Sequence, residues 1–288
     1  MKNRNDLLSI LARIDGKGYK AYIELKGTYD LGWFTLFIDH VQGDPFAAPS
    51  RIRVRVPQKI AGFPSSLYAT KVTRVALEDF LTRRVAQSIK KLARGNRGTG
   101  KSGLLAVDTP GQEVLERSSM VVNNDWVEVR LFLGLPAHGR RILAREAREM
   151  LLEELPKVAE AALMYKHNPK EELAEHINTV EDAQWIRDQL SERGLVAFVA
   201  EGSILPRRSG ISDEPLPRSR AIPFQVPPTL QVTLDTPNHG PIAGMGIPRG
   251  ITLIVGGGYH GKSTLLRALE RGVYNHVPGD GREFVVTV

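Results

Sequence analysis

The residues best suited to chemistry stand near the C-terminal end. Gly256-Gly257-Gly258-Tyr259-His260-Gly261-Lys262-Ser263-Thr264 satisfies the spacing G-x-x-x-x-G-K-S/T. Glycines let the backbone wrap a phosphate group with its N–H groups pointing inward. A helix that begins at the loop adds the partial positive charge of its N-terminus. Lys262 is placed to reach β- and γ-phosphates as a point charge, and Ser263 to offer its hydroxyl to Mg²⁺. The chemistry is the binding of a nucleoside triphosphate with its magnesium ion, ATP or a close relative. His260 and Tyr259 occupy free positions of the pattern and are read as positional.

Such a loop needs a strand behind it and a helix ahead of it. The apolar run Thr252 to Val255 predicts a buried strand entering the loop, and Ser263 to Arg271 predicts a helix leaving it. A second string, Gly95-Asn96-Arg97-Gly98-Thr99-Gly100-Lys101-Ser102, meets the same spacing and is followed by Asp108-Thr109-Pro110-Gly111, a D-x-x-G string. Together the two suggest a small GTPase-like protein. The surroundings oppose it. The residues before Gly95 have helical spacing and end in basic residues, so no buried strand enters. A strand-like run, Leu104 to Val107, follows, so no helix N-terminus faces the loop. Only a few residues separate the two strings, which leaves no room for a helix and a switch segment. Two lesser readings of Arg94 to Lys101 stand side by side: a basic loop touching an anion, and a solvated loop.

The remaining elements follow from periodicity. An amphipathic helix is expected within residues 1–21, strands at 31–40, 51–56, 103–108, 126–133 and 195–200, and a helix at 74–94. A long helix at 140–165 is interrupted by Pro156. Two further helices, 170–177 and 179–193, are expected, the second opening on Thr179 as an N-cap. After Gly202 the chain turns rich in Pro, Arg and Ser, which reads as a linker. Strands at 229–235 and 251–255 come after it. The expected organisation is an α+β N-terminal domain over 1–204, a Pro/Arg-rich linker over 205–228, and an α/β phosphate-loop core beginning at 229 and running to 288.

Composition narrows the function classes. The chain has 288 residues, 42% hydrophobic and 25% charged, an ordinary globular balance. It has no cysteine, which removes disulfides, thiolate zinc sites and cysteine nucleophiles. His138, His176 and His239 lack ligand-like spacing, so no transition-metal site is expected. No apolar run reaches the length of a signal peptide or a membrane span; a cytoplasmic protein without a membrane partner is expected. The net charge of +7 favours polyanions such as RNA or DNA, bound through the basic N-terminal domain, and equally suits a surface that only keeps the chain in solution. Arg51, Arg53 and Arg55 alternate along one strand face, either to line a nucleic-acid groove or to protect an edge. Arg207 and Arg208 either reach a phosphate or sit in a solvated linker.

Three stretches carry a more specific resemblance: RGTGKSGLLAVDTPGQEVLERSS (Arg97 to Ser119), FVAEGSILPRRSG (Phe198 to Gly210) and GGGYHGKSTLLRALERGVYNHVPGDGREFVVT (Gly256 to Thr287). The chain resembles the predicted ATPases of the ABC class, stand-alone proteins with no transmembrane partner, over most of its length. The resemblance implies an ABC-type P-loop fold, ATP and Mg²⁺ as cofactors, the Walker A residues Gly256 to Thr264 as the nucleotide site, and a nucleotide-sandwiched homodimer in the whole protein. It also implies a Q-loop, a signature loop, an acidic Walker B strand and a switch histidine. None of these is placed by this sequence. Asp108 precedes the loop and has no acidic neighbour, so the catalytic residues stay unassigned. The expectation is a chain cut after the Walker A region, with hydrolysis to ADP and phosphate belonging to the complete protein.

Overall fold

The computed structural model describes residues 1–288. It is a mixed α/β protein that divides into two compact units. One comprises Met1–Tyr68, Glu78–Thr109 and Arg117–Pro169; the other comprises Ala69–Leu77, Pro110–Glu116 and Lys170–Val288. The division falls at Pro169/Lys170, not at the composition change near residue 205. The strand Leu195–Ala200 explains the difference: it pairs with Gly240–Pro248 and Val285–Thr287, so it belongs to the sheet of the second unit.

The first unit is built on a seven-stranded sheet whose main path runs Lys2–Asn3, Gly27–Asp30, Thr35–His40, Ser50–Pro57, Trp126–Leu133 and Leu105–Ala106. Met120–Val122 pairs with Trp126–Leu133 off that path. The alternation read at 51–56 is realised: Ile52, Val54 and Val56 are buried while Arg51 is exposed. The N-terminal helix is shorter than expected, Arg4–Ile14, and a 3₁₀ segment, Tyr19–Leu25, follows it. Asn3 caps this helix in a reciprocal box with Asp6. The expected break at Pro156 does not occur. A π-helical turn, Met150–Glu154, joins Ala144–Glu149 to Leu155–Leu163 and shifts the hydrogen-bond register around the proline, which has no N–H to donate.

The second unit has a four-stranded antiparallel sheet ordered Gln231–Thr236, Gly240–Pro248, Leu195–Ala200, Val285–Thr287. A single helix, Lys170–Leu190, replaces the two expected at 170–193. Thr179 lies buried in its middle and is no N-cap; Val180, Ala183, Ile186 and Leu190 continue the apolar face past it. Ala183, Ile186 and Leu190 pack with Phe198, Leu234 and Val286. A second cluster of Ala197, Val199, Met245, Val285 and Ala268 brings the helix Lys262–Arg271 onto the sheet.

Two expectations in this unit are corrected. Residues 205–228 are not merely a linker: Arg207–Ser209 and Ser212–Pro215 form a hairpin, and Phe224 and Val226 pack on the second cluster. The run Ile251 to Val255 forms no strand, and Ile251, Leu253 and Val255 are 103%, 82% and 76% exposed. Its apolar sequence has strand character, but no neighbouring strand offers it hydrogen-bond partners, so the ladder cannot form.

Candidate functional site

The helix Lys262–Arg271 begins where the sequence predicts one, and its N-cap is Gly261 at φ 82°. A side chain there would be strained, which is the reason for glycine at this position of the pattern. The N–H groups of Gly257 through Ser263 donate to no protein acceptor. They lie in an exposed loop whose Tyr259 takes φ 61°, an unusual value for an aromatic residue, with its ring fully exposed. Such a row of unpaired amides at a helix N-terminus is an anion cradle. Lys262 closes it: its Nζ donates to the carbonyls of Gly256 at 2.8 Å and Gly257 at 2.6 Å. The His260 ring lies under Gly257, where an added Cβ would come within 3.1 Å of Cε1. The His260 ring thus lies against the Gly257 backbone while the residue stays exposed.

A cavity of about 780 Å³ opens beside the loop. Tyr259, Lys262 and Thr264 line one side, and Arg220, Ile222 and Phe224 line the other. The second set comes from the Pro-rich segment and was missed by the sequence reading. Its only signal there was Phe and Ile spaced among prolines. No carboxylate lines this cavity, and Ser263, exposed at the start of the helix, is not part of its lining. The lining thus joins the Lys262 ammonium and the hydroxyls of Tyr259 and Thr264 to the apolar side chains of Ile222 and Phe224.

The upstream string is a different object. The N–H groups of Arg97, Thr99, Lys101, Ser102 and Gly103 donate to the carbonyls of Ser102, Ala137, Pro45, Thr99 and Gly134, and that of Gly98 to the Asn96 side chain. Arg97 is buried and pairs with Glu146, Glu149 and Glu154. With most of its amides, from Arg97 to Thr99 and from Lys101 to Gly103, already donating within the protein, this loop lacks the continuous row of free N–H groups that a phosphate cradle needs. Asp108 is exposed and pairs with Arg117 at 2.7 Å.

Other singled-out residues are engaged within the protein. Arg53 binds Asp39 and Glu128, Arg55 binds Glu128, and both guanidinium groups stack on Phe37. The Arg53 guanidinium holds the Asp39 carboxyl below the usual range, chiefly through their hydrogen bond. Arg207 pairs with buried Asp280 at 2.8 Å and Arg208 with Glu214. His239 donates to or accepts from Asp182 at 2.7 Å. No group of three or more His, Asp or Glu side chains is arranged to hold a metal ion.

A free-amide loop of this pattern on the N-terminus of a helix, packed on a sheet, defines a phosphate-loop nucleotide-binding protein. The chain belongs to the ABC-class ATPases: residues 4–166 match the family described as ATPase of the ABC class N-terminal, and residues 169–288 match its P-loop domain. It is also similar to an uncharacterised protein of Methanocaldococcus jannaschii, 32% identical over 128 residues, which are 42% of this chain and 29% of that protein. The match thus spans less than a third of the length of that relative. No helix is long and apolar enough to cross a membrane.

Proposed function

We propose that this chain binds ATP with Mg²⁺ at Gly256 to Thr264, the phosphates on the amides of Gly257 to Ser263 and the nucleoside against Ile222 and Phe224. The observation that carries the reading is the row of unpaired loop amides, with Lys262 folded onto the loop carbonyls. On binding, Lys262 exchanges those carbonyls for β- and γ-phosphate oxygens. Ser263 contributes one oxygen to Mg²⁺, and the phosphates and water supply the rest. The reaction of the ABC class is ATP hydrolysis. With no carboxylate in the cavity to order the metal or a water molecule, turnover by this chain is expected to be far slower than its nucleotide exchange. Lys262→Ala should weaken ATP at least tenfold in equilibrium titration, the size expected for losing a charge-assisted contact. ATP affinity unchanged by that substitution rejects the site.

A second reading, RNA or DNA on the sheet of the first unit, is favoured by Arg51, which is exposed beside Arg130 and half-exposed Phe132. Pairing of Arg53 and Arg55 with acidic groups reduces the charge it has to offer. An RNA titration at two salt concentrations tests it: affinity should fall with salt through the few cations left free, and a salt-insensitive signal rejects it.

A further inference from the structure

The three stretches that carry the family resemblance lie far apart in the chain, and each sends side chains into one cavity of about 370 Å³ in the second unit. The first supplies Glu113, the second Arg207 and Ser209, and the third Arg267, Arg271 and Arg282. The nucleotide reading uses none of them. The cavity does not open on the phosphate loop: Arg267 and Arg271 project from another face of the helix Lys262–Arg271 than Lys262 and Leu265 do.

The charges there are not all balanced within the protein. Arg271 is taken by Glu113 at 2.8 Å, and Arg207 by Asp280 at 2.8 Å. Arg282 has no such partner. It is 5% exposed, and its guanidinium donates through Nε and Nη2 only to the carbonyl of Leu205. Burial, and then the neighbouring Arg207, lower its pKa to about 10. A buried cation without a carboxylate is costly unless an anion reaches it. Arg267, an exposed residue lining the same cavity, makes no hydrogen bond or ion pair within the protein through its side chain. Arg267 has its donors free, and Arg282 keeps Nη1 beyond the bonds that Nε and Nη2 make to Leu205, so two cations line one space, and a guanidinium group suits a phosphoryl group. Asp213 and Glu270 line the same wall without a cation of their own, and they call for hydroxyl donors beside the anion. The volume suits a small molecule.

We propose that this cavity binds a small hydroxylated phosphate ester, its phosphoryl group between Arg267 and Arg282 and its hydroxyl groups toward Asp213 and Glu270, as a site separate from the phosphate loop. The proposal stands whether or not ATP binds at Lys262, and the test keeps the two apart by using protein that carries Lys262→Ala. Ribose 5-phosphate titrated into that protein by calorimetry should bind at a single site and more tightly than inorganic phosphate. Arg267→Gln should weaken it about tenfold. Arg267 is exposed and makes no bond within the protein, so its removal leaves the melting temperature unchanged. Arg282→Lys keeps the charge but loses the fork and should also weaken binding. Absence of binding up to about 10 mM, a scale corresponding to negligible affinity, overturns the proposal. So does an affinity that Arg267→Gln and Arg282→Lys leave unchanged. Inorganic phosphate bound as tightly as the ester overturns the role of Asp213 and Glu270.

Discussion

His239 shows how one side chain ties two elements of the second unit. It lies in the turn between Gln231–Thr236 and Gly240–Pro248, and it faces Asp182 at 2.7 Å and Glu175 at 3.4 Å on the helix Lys170–Leu190, with Phe284 against its ring. Burial disfavours its charged form, but the hydrogen bond to Asp182 and the field of Glu175 outweigh that, and its pKa is raised. The sign follows from linkage. The stabilisation is complete below the unfolded value of about 6.5 and is lost as pH rises through the higher folded value. Melting temperature should therefore fall on going from about pH 6 to about pH 8, and His239→Gln should flatten that part of the profile. A variant that keeps the full slope would show that other groups carry it. Arg97 is a more deeply buried cation, with three acidic partners. Arg97→Met leaves Glu146, Glu149 and Glu154 crowded together and should destabilise the fold by about 3 kcal/mol, measured by urea unfolding.

At the scale of elements, the two phosphate-loop strings differ in what their backbones already bond to. The upstream loop is locked. At Gly103, with φ 90°, an added Cβ would lie 1.9 Å from the Gly95 carbonyl oxygen. Gly103→Ala should therefore cost about 2 kcal/mol or more of stability. Lys101 is exposed and sits on a loop most of whose amides already donate within the protein, so Lys101→Ala should leave ATP affinity unchanged while Lys262→Ala does not. Equal losses in both variants would show that the upstream loop also touches the nucleotide. The contrast was legible in the sequence through the flanking residues: a helical run entered the first string and a helical run left the second.

For the whole molecule the informative surface is the apolar run Ile251 to Val255. Its side chains stand in water, together with Leu266 at 54% exposure. Apolar chain with free backbone groups is a template for association. Sedimentation velocity should show self-association that grows with concentration, and Leu253→Lys should reduce it. A monomer at all concentrations would count against any role of this run in contacts between copies. The net charge of +7 works against such association at low salt, so it should strengthen as salt screens that charge.

What the sequence determined by itself was local: the spacing of Gly256 to Thr264, the helix after it, the alternating strand around Arg53 and the bounds of Trp126–Leu133 and Leu195–Ala200. These rest on periods of a few residues, on glycine geometry and on the placement of one lysine, all of which read along the chain. The family followed from the same short stretches. Tertiary structure decided what depends on partners distant in sequence. It denied Ile251 to Val255 a strand because pairing needs a neighbour. It joined the helix at Thr179 because one continuous apolar face is buried there. It filled the amides of the upstream loop from Pro45, Gly134 and Ala137, and it packed the Pro-rich segment beside the phosphate loop. It also brought Glu113, Arg207 and Arg282 to one cavity, since charge pairing and burial are set by distance in space and no spacing along the chain records them.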